Sequence, residues 1–193
     1  CTMGYDTVFP AAGSFDDVFQ KNGNDYSCFF AGVRQILEND DLSIGNMEGT
    51  LTDINNRAYK GEKGPFYYFR GQPGYNKILQ EGSIEAVNMA NNHTYDFGVQ
   101  GYNDTLRNLQ KVGVTSYGNG KAGYMRIKGI DIGLLGYNVM SLMDEKNSIA
   151  WMKKQVGQDI KNLKNEVDLV IVSFHWGIEG ENQPCSKQVE LGH

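Results

Sequence analysis

The stretch VNMANNHTYDFG, residues 87–98, joins an apolar run to a strongly polar corner. The apolar run begins upstream at Ile84 and ends at Met89, a length typical of a buried strand. Two carboxamides and an imidazole follow at Asn91-Asn92-His93, and a carboxylate follows at Asp96. Buried polar groups cost free energy unless each finds a hydrogen-bond partner or a ligand. The stretch therefore predicts a strand that ends either in a turn or in a binding site.

Segments on both sides of this stretch alternate between strand-like and helix-like patterns. Such alternation predicts an α/β fold in which helices cover the faces of the sheets. At 193 residues the chain is expected to form one domain, residues 1–193. Lys128-Gly129 predicts a hairpin turn, and Gly113 predicts the end of a helix. The predicted helices are residues 14–20, 29–38, 75–80, 101–112 and 149–162; the predicted strands are residues 42–46, 84–89, 125–127, 130–137 and 167–174, with a short strand in the aromatic loop 55–74.

The composition is that of a soluble globular protein, with 40% hydrophobic and 21% charged residues. A formal charge of −5 without a Lys/Arg cluster argues against a nucleic-acid partner.

The sequence contains neither an apolar run of the roughly 20 residues that a membrane helix needs nor a signal-peptide pattern. Because the chain starts at Cys1 and closes on a helix-like segment at 188–193, we expect it to be incomplete at both ends, with any membrane contact made by segments outside it. Cys1, Cys28 and Cys185 fit no zinc-ligand spacing, and one disulfide among them is left open.

Polar side chains follow three of the predicted strands at the point where each strand ends. Glu48 follows the strand at 42–46, Asn92 and His93 follow the strand at 84–89, and His175 follows the strand at 167–174. Binding sites of α/β sheets lie outside the carboxyl ends of the strands. Carboxylate, amide and imidazole groups together are ligands for a divalent Mn, Fe or Zn ion, and the absence of thiolates argues against a structural zinc site. The residues alone thus predict a metal cleft without a named reaction.

Each of these residues also has a purely structural interpretation. Asn91-Asn92 could form only an Asx turn, and His93 could bond Asp96 at the start of a helix. Glu48 could lie on a solvated turn, and His175 could be a core histidine.

Three motifs resemble the bacterial capsule-synthesis protein CapA family, in the family's order and over nearly the whole chain. They are Asn46-Met47-Glu48-Gly49, the word ANNHTYDFG at 90–98, and Phe174-His175-Trp176-Gly177. The family is associated with poly-γ-glutamate capsule production and anchoring. It is similar to the calcineurin-type metallophosphoesterases, so the resemblance implies a layered α/β/β/α sandwich, incomplete here at both termini, outside the membrane or anchored at the cell surface.

The resemblance also implies a role for each residue of the polar corners. Glu48, Asn92 and His175 would bind one or two Mn, Fe or Zn ions. His93 would act as a general acid toward a phosphate ester or would steady the charge there, and Asp96 would orient its imidazole. Asn46 and Asn91 would support the ligands through hydrogen bonds.

This sequence departs from the family pattern in two places. The Gly-Asp pair expected before Cys1 and a later Gly-His-x-x-His word are missing, and His193 is interpreted as structural. The metal site is therefore expected to be incomplete, with weak or absent metal binding in this chain.

Three functions follow from these observations. The first is a capsule protein with a metal-dependent phosphoesterase-like site, working with the capsule synthesis machinery on an acidic polymer or a phosphate ester. The second is a general phosphohydrolase of the nucleotidase type. The third is a non-catalytic module that holds an acidic polymer, for which a bridging metal or a local basic pocket would be needed, with Lys60, Lys63 and Arg70 as the candidate cations. We expect these three side chains to be solvated, and we expect Tyr67 and Phe69 either to wall the cleft or to pack in the core.

Overall fold

The stretch at residues 87–98 contains the end of the central strand of a three-stranded sheet and the polar corner that follows this strand. This strand, β5 (Ala86–Asn88), lies between β2 (Ile44–Asn46) and β6 (Thr115–Tyr117). β2 and β5 run parallel, with Asn46 opposite Asn88. The carboxyl ends of two predicted strands therefore meet at one edge of this sheet.

The computed structural model describes residues 2–6, 13–143 and 149–193, without the side chains of Tyr5 and Asp6. The chain divides into two compact units, residues 1–116 and 117–193. The single domain over 1–193 stays a prediction. The remaining strands are β1 (Tyr5–Asp6), β3 (Thr50–Leu51), β4 (Phe69–Gly71), β7 (Gly123–Ile127), β8 (Ile130–Asn138) and β9 (Leu169–His175); the helices are α1 (Phe15–Lys21), α2 (Arg34–Leu37), α3 (Asn76–Glu81), α4 (Gly98–Lys111), α5 (Ala150–Leu163) and α6 (Ser186–Gly192), with 3₁₀ turns at Cys28–Phe30, Pro73–Tyr75 and Met140–Leu142.

The first unit contains a second sheet in the order β1-β4-β3, in which β4 pairs antiparallel with β1 and parallel with β3. Helix α4 ends as predicted, because Gly113 takes up a positive φ of 76° that glycine tolerates without strain. One apolar core fills the unit. Its buried members are Met3, Phe19, Met47, Leu51, Tyr75, Ile78, Leu79, Ile84, Val87, Met89, Leu109 and Val114.

The second unit contains the predicted hairpin of β7 and β8, and β9 adds parallel to β8. Lys128 and Gly129 both have positive φ, as a two-residue type I′ turn requires. Met152, Val156 and Leu163 form the buried stripe of α5, the helix that the sequence predicts over residues 149–162.

The α/β class is confirmed, and the sheets and helices are consistent with the expected sandwich. The residues of strand β9 are half-buried, apart from Leu169 at its start, which is exposed. Within the described residues β9 pairs only with β8 and so lies at the edge of its sheet, and its Val172 and Phe174 pack against the apolar core of the second unit.

Two further features of the sequence have a structural counterpart. Cys28 and Cys185 are free thiols, and Cys1 lies outside the described residues. Over the described part of the chain, none of the helices has both the length and the apolar character of a membrane span.

Candidate functional site

In the corner after β5, asparagine side chains accept hydrogen bonds from backbone N–H groups two residues further along the chain. The Asn88 Oδ1 atom accepts from the Ala90 N–H at 2.9 Å, and the Asn91 Oδ1 atom accepts from the His93 N–H at 3.0 Å. Thr94 closes the turn, since its hydroxyl donates to the Met89 carbonyl oxygen. Asn, Asp and Thr favour such local bonds. The structural interpretation of Asn91 as part of an Asx turn therefore accounts for the hydrogen bond that its Oδ1 atom accepts.

The other end of the Asn91 side chain ties this corner to the corner after β2. Its Nδ2 atom donates to the Met47 carbonyl oxygen at 2.8 Å and to Asn46 Oδ1 at 3.3 Å. Asn46 in turn donates from Nδ2 to Glu48 Oε2 at 3.3 Å. A chain of hydrogen bonds thus runs from the turn to the Glu48 carboxylate.

His93 and Asp96 form a buried pair, in which Nδ1 of the imidazole lies 2.8 Å from Oδ2 of the carboxylate. The same Oδ2 atom accepts from the Phe69 N–H at 2.7 Å, and the Phe69 ring packs on the imidazole at 4.2 Å between centroids. A carboxylate only accepts hydrogen bonds, so Nδ1 is the donor in this pair. The Nε2 atom of His93 is then the nitrogen available for other chemistry.

Glu48 faces that second nitrogen, with 4.0 Å between Glu48 Oε1 and His93 Nε2. This distance exceeds a hydrogen bond. The two side chains retain some exposure, 25% for Glu48 and 11% for His93, so the corner is open to solvent at this point. It therefore presents one carboxylate and one oriented imidazole to any ligand that enters.

Lys60 belongs to this corner, although we expected it to be solvated. Its Nζ atom lies 2.5 Å from Asp96 Oδ1, and only 22% of its side chain is exposed. Arg70 also departs from expectation, because its guanidinium donates to the Ile54 carbonyl oxygen at 2.9 Å. Lys63 alone of the three is exposed as expected. No local pattern in the sequence links Lys60 to Asp96, because loop 55–68 brings them together only in the fold.

The other two expected ligands, Asn92 and His175, belong one to each unit. Asn92 is exposed at the tip of the corner. His175 is the last residue of β9 in the second unit, where it is half-buried opposite Asn138. Its carbonyl oxygen accepts from the Val139 N–H at 3.0 Å. The ligand roles of Glu48, Asn92 and His175 stay predictions.

The described residues offer part of a metal-binding set. The Glu48 carboxylate and the Asn92 amide have oxygen donors that suit a divalent ion. Across residues 2–6, 13–143 and 149–193, however, no three His, Cys, Asp or Glu side chains come together as a metal site would require. A typical zinc site in proteins takes three or four protein ligands. Among the described residues, the corner in the first unit thus has suitable donors but too few for such a site.

Comparison with known proteins places the chain in one family. The family model "Bacterial capsule synthesis protein PGA_cap" matches residues 9–193. The chain is 25% identical to "Capsule biosynthesis protein CapA" of Bacillus anthracis, over 91% of this chain and 46% of that protein. It is 28% identical to "PGA biosynthesis protein CapA" of Bacillus subtilis, over 91% of this chain and 49% of that protein.

The chain therefore spans about half the length of these curated relatives. Among solved structures, a hypothetical protein from Thermus thermophilus superposes with a TM-score of 0.46 at 14% identity, over 79% of this chain and 53% of that one. Since the family model covers nearly the whole sequence, the chain belongs to the bacterial capsule synthesis protein PGA_cap family.

Proposed function

We propose that this protein acts in the production or anchoring of a poly-γ-glutamate capsule and carries a metal-dependent phosphoesterase-like site. The capsule role is supported by the names of the two Bacillus relatives. The site is supported by one observation above all, the buried His93–Asp96 pair that faces Glu48 across the ends of two parallel strands. Its surroundings would be the cell surface, and its partners would be the capsule synthesis machinery.

In this proposal Glu48 and Asn92 would hold one or two Mn, Fe or Zn ions, and His175 would be a further ligand by family resemblance. A bound ion would polarise a phosphate ester and lower the pKa of a water molecule. His93 would donate a proton from Nε2 toward the leaving oxygen, or offset negative charge there. Asp96 would keep the imidazole turned so that Nε2 faces the substrate.

A nucleotidase-like phosphohydrolase without a capsule role is the main alternative. The same corner would serve it, so a screen of nucleotides, sugar phosphates and polymer precursors separates the two. A non-catalytic module that holds an acidic polymer has less support. Lys60 and Arg70, two of its three candidate cations, are engaged by Asp96 and by the Ile54 carbonyl oxygen.

Metal content tests the site most directly. We would purify this chain and a form extended at both ends without chelator, load both with Mn, Fe or Zn, and measure bound metal by mass spectrometry. The expected result is little metal in this chain and near-stoichiometric metal in the extended form, lost there in Glu48→Ala and in His175→Ala. Matched controls are Glu62→Ala and His193→Ala, which remove the same residue types from exposed positions. Unchanged metal in the extended Glu48→Ala variant, or no metal in the loaded extended form, would refute the metal-dependent site.

A further inference from the structure

We propose that Lys60 is a positioning residue for the His93–Asp96 pair, which it holds in place by offsetting the buried charge of Asp96. A catalytic effect of Lys60 rests on the proposed phosphoesterase-like function. Its effect on the conformation of His93 does not depend on that function.

Asp96 is fully buried, and its two oxygens have different partners. Oδ2 lies 2.8 Å from His93 Nδ1 and accepts from the Phe69 N–H. For Oδ1, none of the described residues supplies an aligned hydrogen bond. The Lys60 ammonium, 2.5 Å away, is in close charge contact with Oδ1 without that alignment. Burying an unpaired carboxylate is expensive, and the ion pair with Lys60 gives Oδ1 a partner that it would otherwise lack.

Lys60 is itself fixed by contacts on its other sides. Its Nζ atom donates to the Tyr67 carbonyl oxygen at 2.7 Å and lies 4.6 Å from the centroid of the Tyr68 ring. Both interactions favour a cation at this point. The ammonium is therefore held at a fixed place beside Asp96, unlike that of a mobile surface lysine.

The loop that carries Lys60 is fastened to the same corner through its backbone. The Ala58 N–H donates to the Asp96 carbonyl oxygen at 2.8 Å, and the Tyr68 hydroxyl donates to the Ala58 carbonyl oxygen at 2.8 Å. Residues 58–60 thus contact both the corner after β5 and the segment that leads into β4. The loop brings a cation to the far side of Asp96 while Phe69 packs on the imidazole.

Through these contacts Lys60 affects His93, although Lys60 does not touch that residue. With Lys60 present, Oδ2 is held toward Nδ1, so His93 has one preferred tautomer with the hydrogen on Nδ1. Without the ammonium, the buried carboxylate loses its counter-charge and relaxes away from this position. The imidazole then loses its fixed tautomer and its fixed orientation toward Glu48.

The test reads the tautomer of His93 directly from two-bond ¹H–¹⁵N NMR spectra of the imidazole. The chain has three histidines, so His175→Gln and His193→Gln assign the signals. We expect the Nδ1–H pattern in the wild type and in Lys60→Arg, which keeps the charge. We expect a changed, averaged pattern in Lys60→Met. Lys63→Met is the matched control, because Lys63 is an exposed lysine of the same loop, and its spectrum should equal that of the wild type.

A double variant separates action through Asp96 from general loosening of the loop. If Lys60 acts through Asp96, then Lys60→Met should add no further change to the His93 signal in an Asp96→Asn background. An unchanged His93 signal in folded Lys60→Met would overturn the proposal, and so would an equal change in Lys63→Met. Should Lys60→Met not fold, Lys60→Gln replaces it in the same comparison.

Activity gives a second readout once a hydrolysed phosphate ester is known. Lys60→Met should lower kcat by about 10-fold with little change in KM, as expected for an orienting partner, and Lys60→Arg should restore most of it. A changed tautomer in a protein that hydrolyses nothing would keep the positioning role and refute the phosphoesterase proposal. If the protein hydrolyses a phosphate ester and Lys60→Met leaves both the tautomer and kcat unchanged, the phosphoesterase proposal is kept and the positioning role is refuted.

Discussion

The side-chain amide of Asn91 donates to the main-chain carbonyl oxygen of Met47 over 2.8 Å and so fastens the end of β5 to the end of β2. Both residues are buried, with 4% of Asn91 and 1% of Met47 exposed. This bond keeps Glu48, one residue beyond Met47, close to His93, two residues beyond Asn91. The distance between the candidate carboxylate and the candidate imidazole therefore depends on a residue that need not touch a ligand.

Replacing Asn91 should destabilise the first unit. In Asn91→Ala the Met47 carbonyl oxygen and the His93 N–H lose their partners in a buried place, which costs about 1–3 kcal/mol. Urea denaturation measures the loss, with the exposed Asn56→Ala as a control that should change little. Equal stability of the two variants would contradict the structural role of Asn91.

Removing the imidazole should abolish any hydrolysis of phosphate esters. General acid catalysis contributes about 10²- to 10⁴-fold in rate, so His93→Ala should lose at least about 10²-fold in kcat. The control is His193→Ala, an exposed histidine outside the corner, which should keep the wild-type rate. Wild-type turnover by His93→Ala would remove the catalytic assignment.

Gly49 is a position where a methyl group should not fit. It has a positive φ of 107°, and a Cβ atom there would lie 2.8 Å from the Phe69 Cβ atom. Gly49→Ala should therefore cost about 2–4 kcal/mol, from backbone strain together with the steric clash. Phe69, which packs on the His93 ring, would have to shift.

Gly113→Ala is the matched control for Gly49→Ala. Gly113 also has a positive φ, of 76°, but its Cβ would meet nothing within 4 Å. That variant should lose only the backbone contribution, about 1 kcal/mol. Similar losses in the two variants, measured by chemical denaturation, would mean that Phe69 moves aside at no cost.

Tyr137 should make the stability of the second unit depend on pH in alkaline solution. Burial, and then the hydrogen bond from its hydroxyl to Asp159 Oδ2 at 2.8 Å, raise the pKa of Tyr137 above its ordinary value. The unfolded chain loses the phenolic proton near pH 10, whereas the folded protein keeps it to higher pH. This stabilisation is fully present below about pH 10 and is lost as the pH rises toward the folded-state pKa.

Tyr137→Phe isolates this effect. The variant should be less stable than the wild type by about 1 kcal/mol at pH 7, because it lacks the hydrogen bond. The difference should shrink at pH 11 in urea unfolding, because only the wild type has this phenol to ionise. A gap that stays constant between the two pH values would contradict the raised pKa. Tyr59→Phe, at a largely exposed position, should show no gap at either pH.

The sequence by itself determined the elements whose signals lie between near neighbours. The buried stripe of α5, the hairpin turn at Lys128-Gly129 and the helix end at Gly113 follow from residue spacing and from glycine's tolerance of positive φ. The polar ends of β2 and β5 were likewise visible, because carboxamides and a carboxylate directly after an apolar run require partners. These features are local, so no knowledge of the sheet order was needed.

Only the tertiary structure decided which distant groups meet at the corner. Thr50–Leu51 is too short for a recognisable alternation and becomes a strand only by pairing with β4. The Phe69 N–H reaches Asp96 from 27 positions away, and Lys60 reaches it from the loop that precedes β4. Such contacts are set by the order and register of the strands and by the path of a loop between them. The spacing of residues in the sequence carries no record of that arrangement, so a lysine expected in solvent is instead the counter-charge of a buried aspartate.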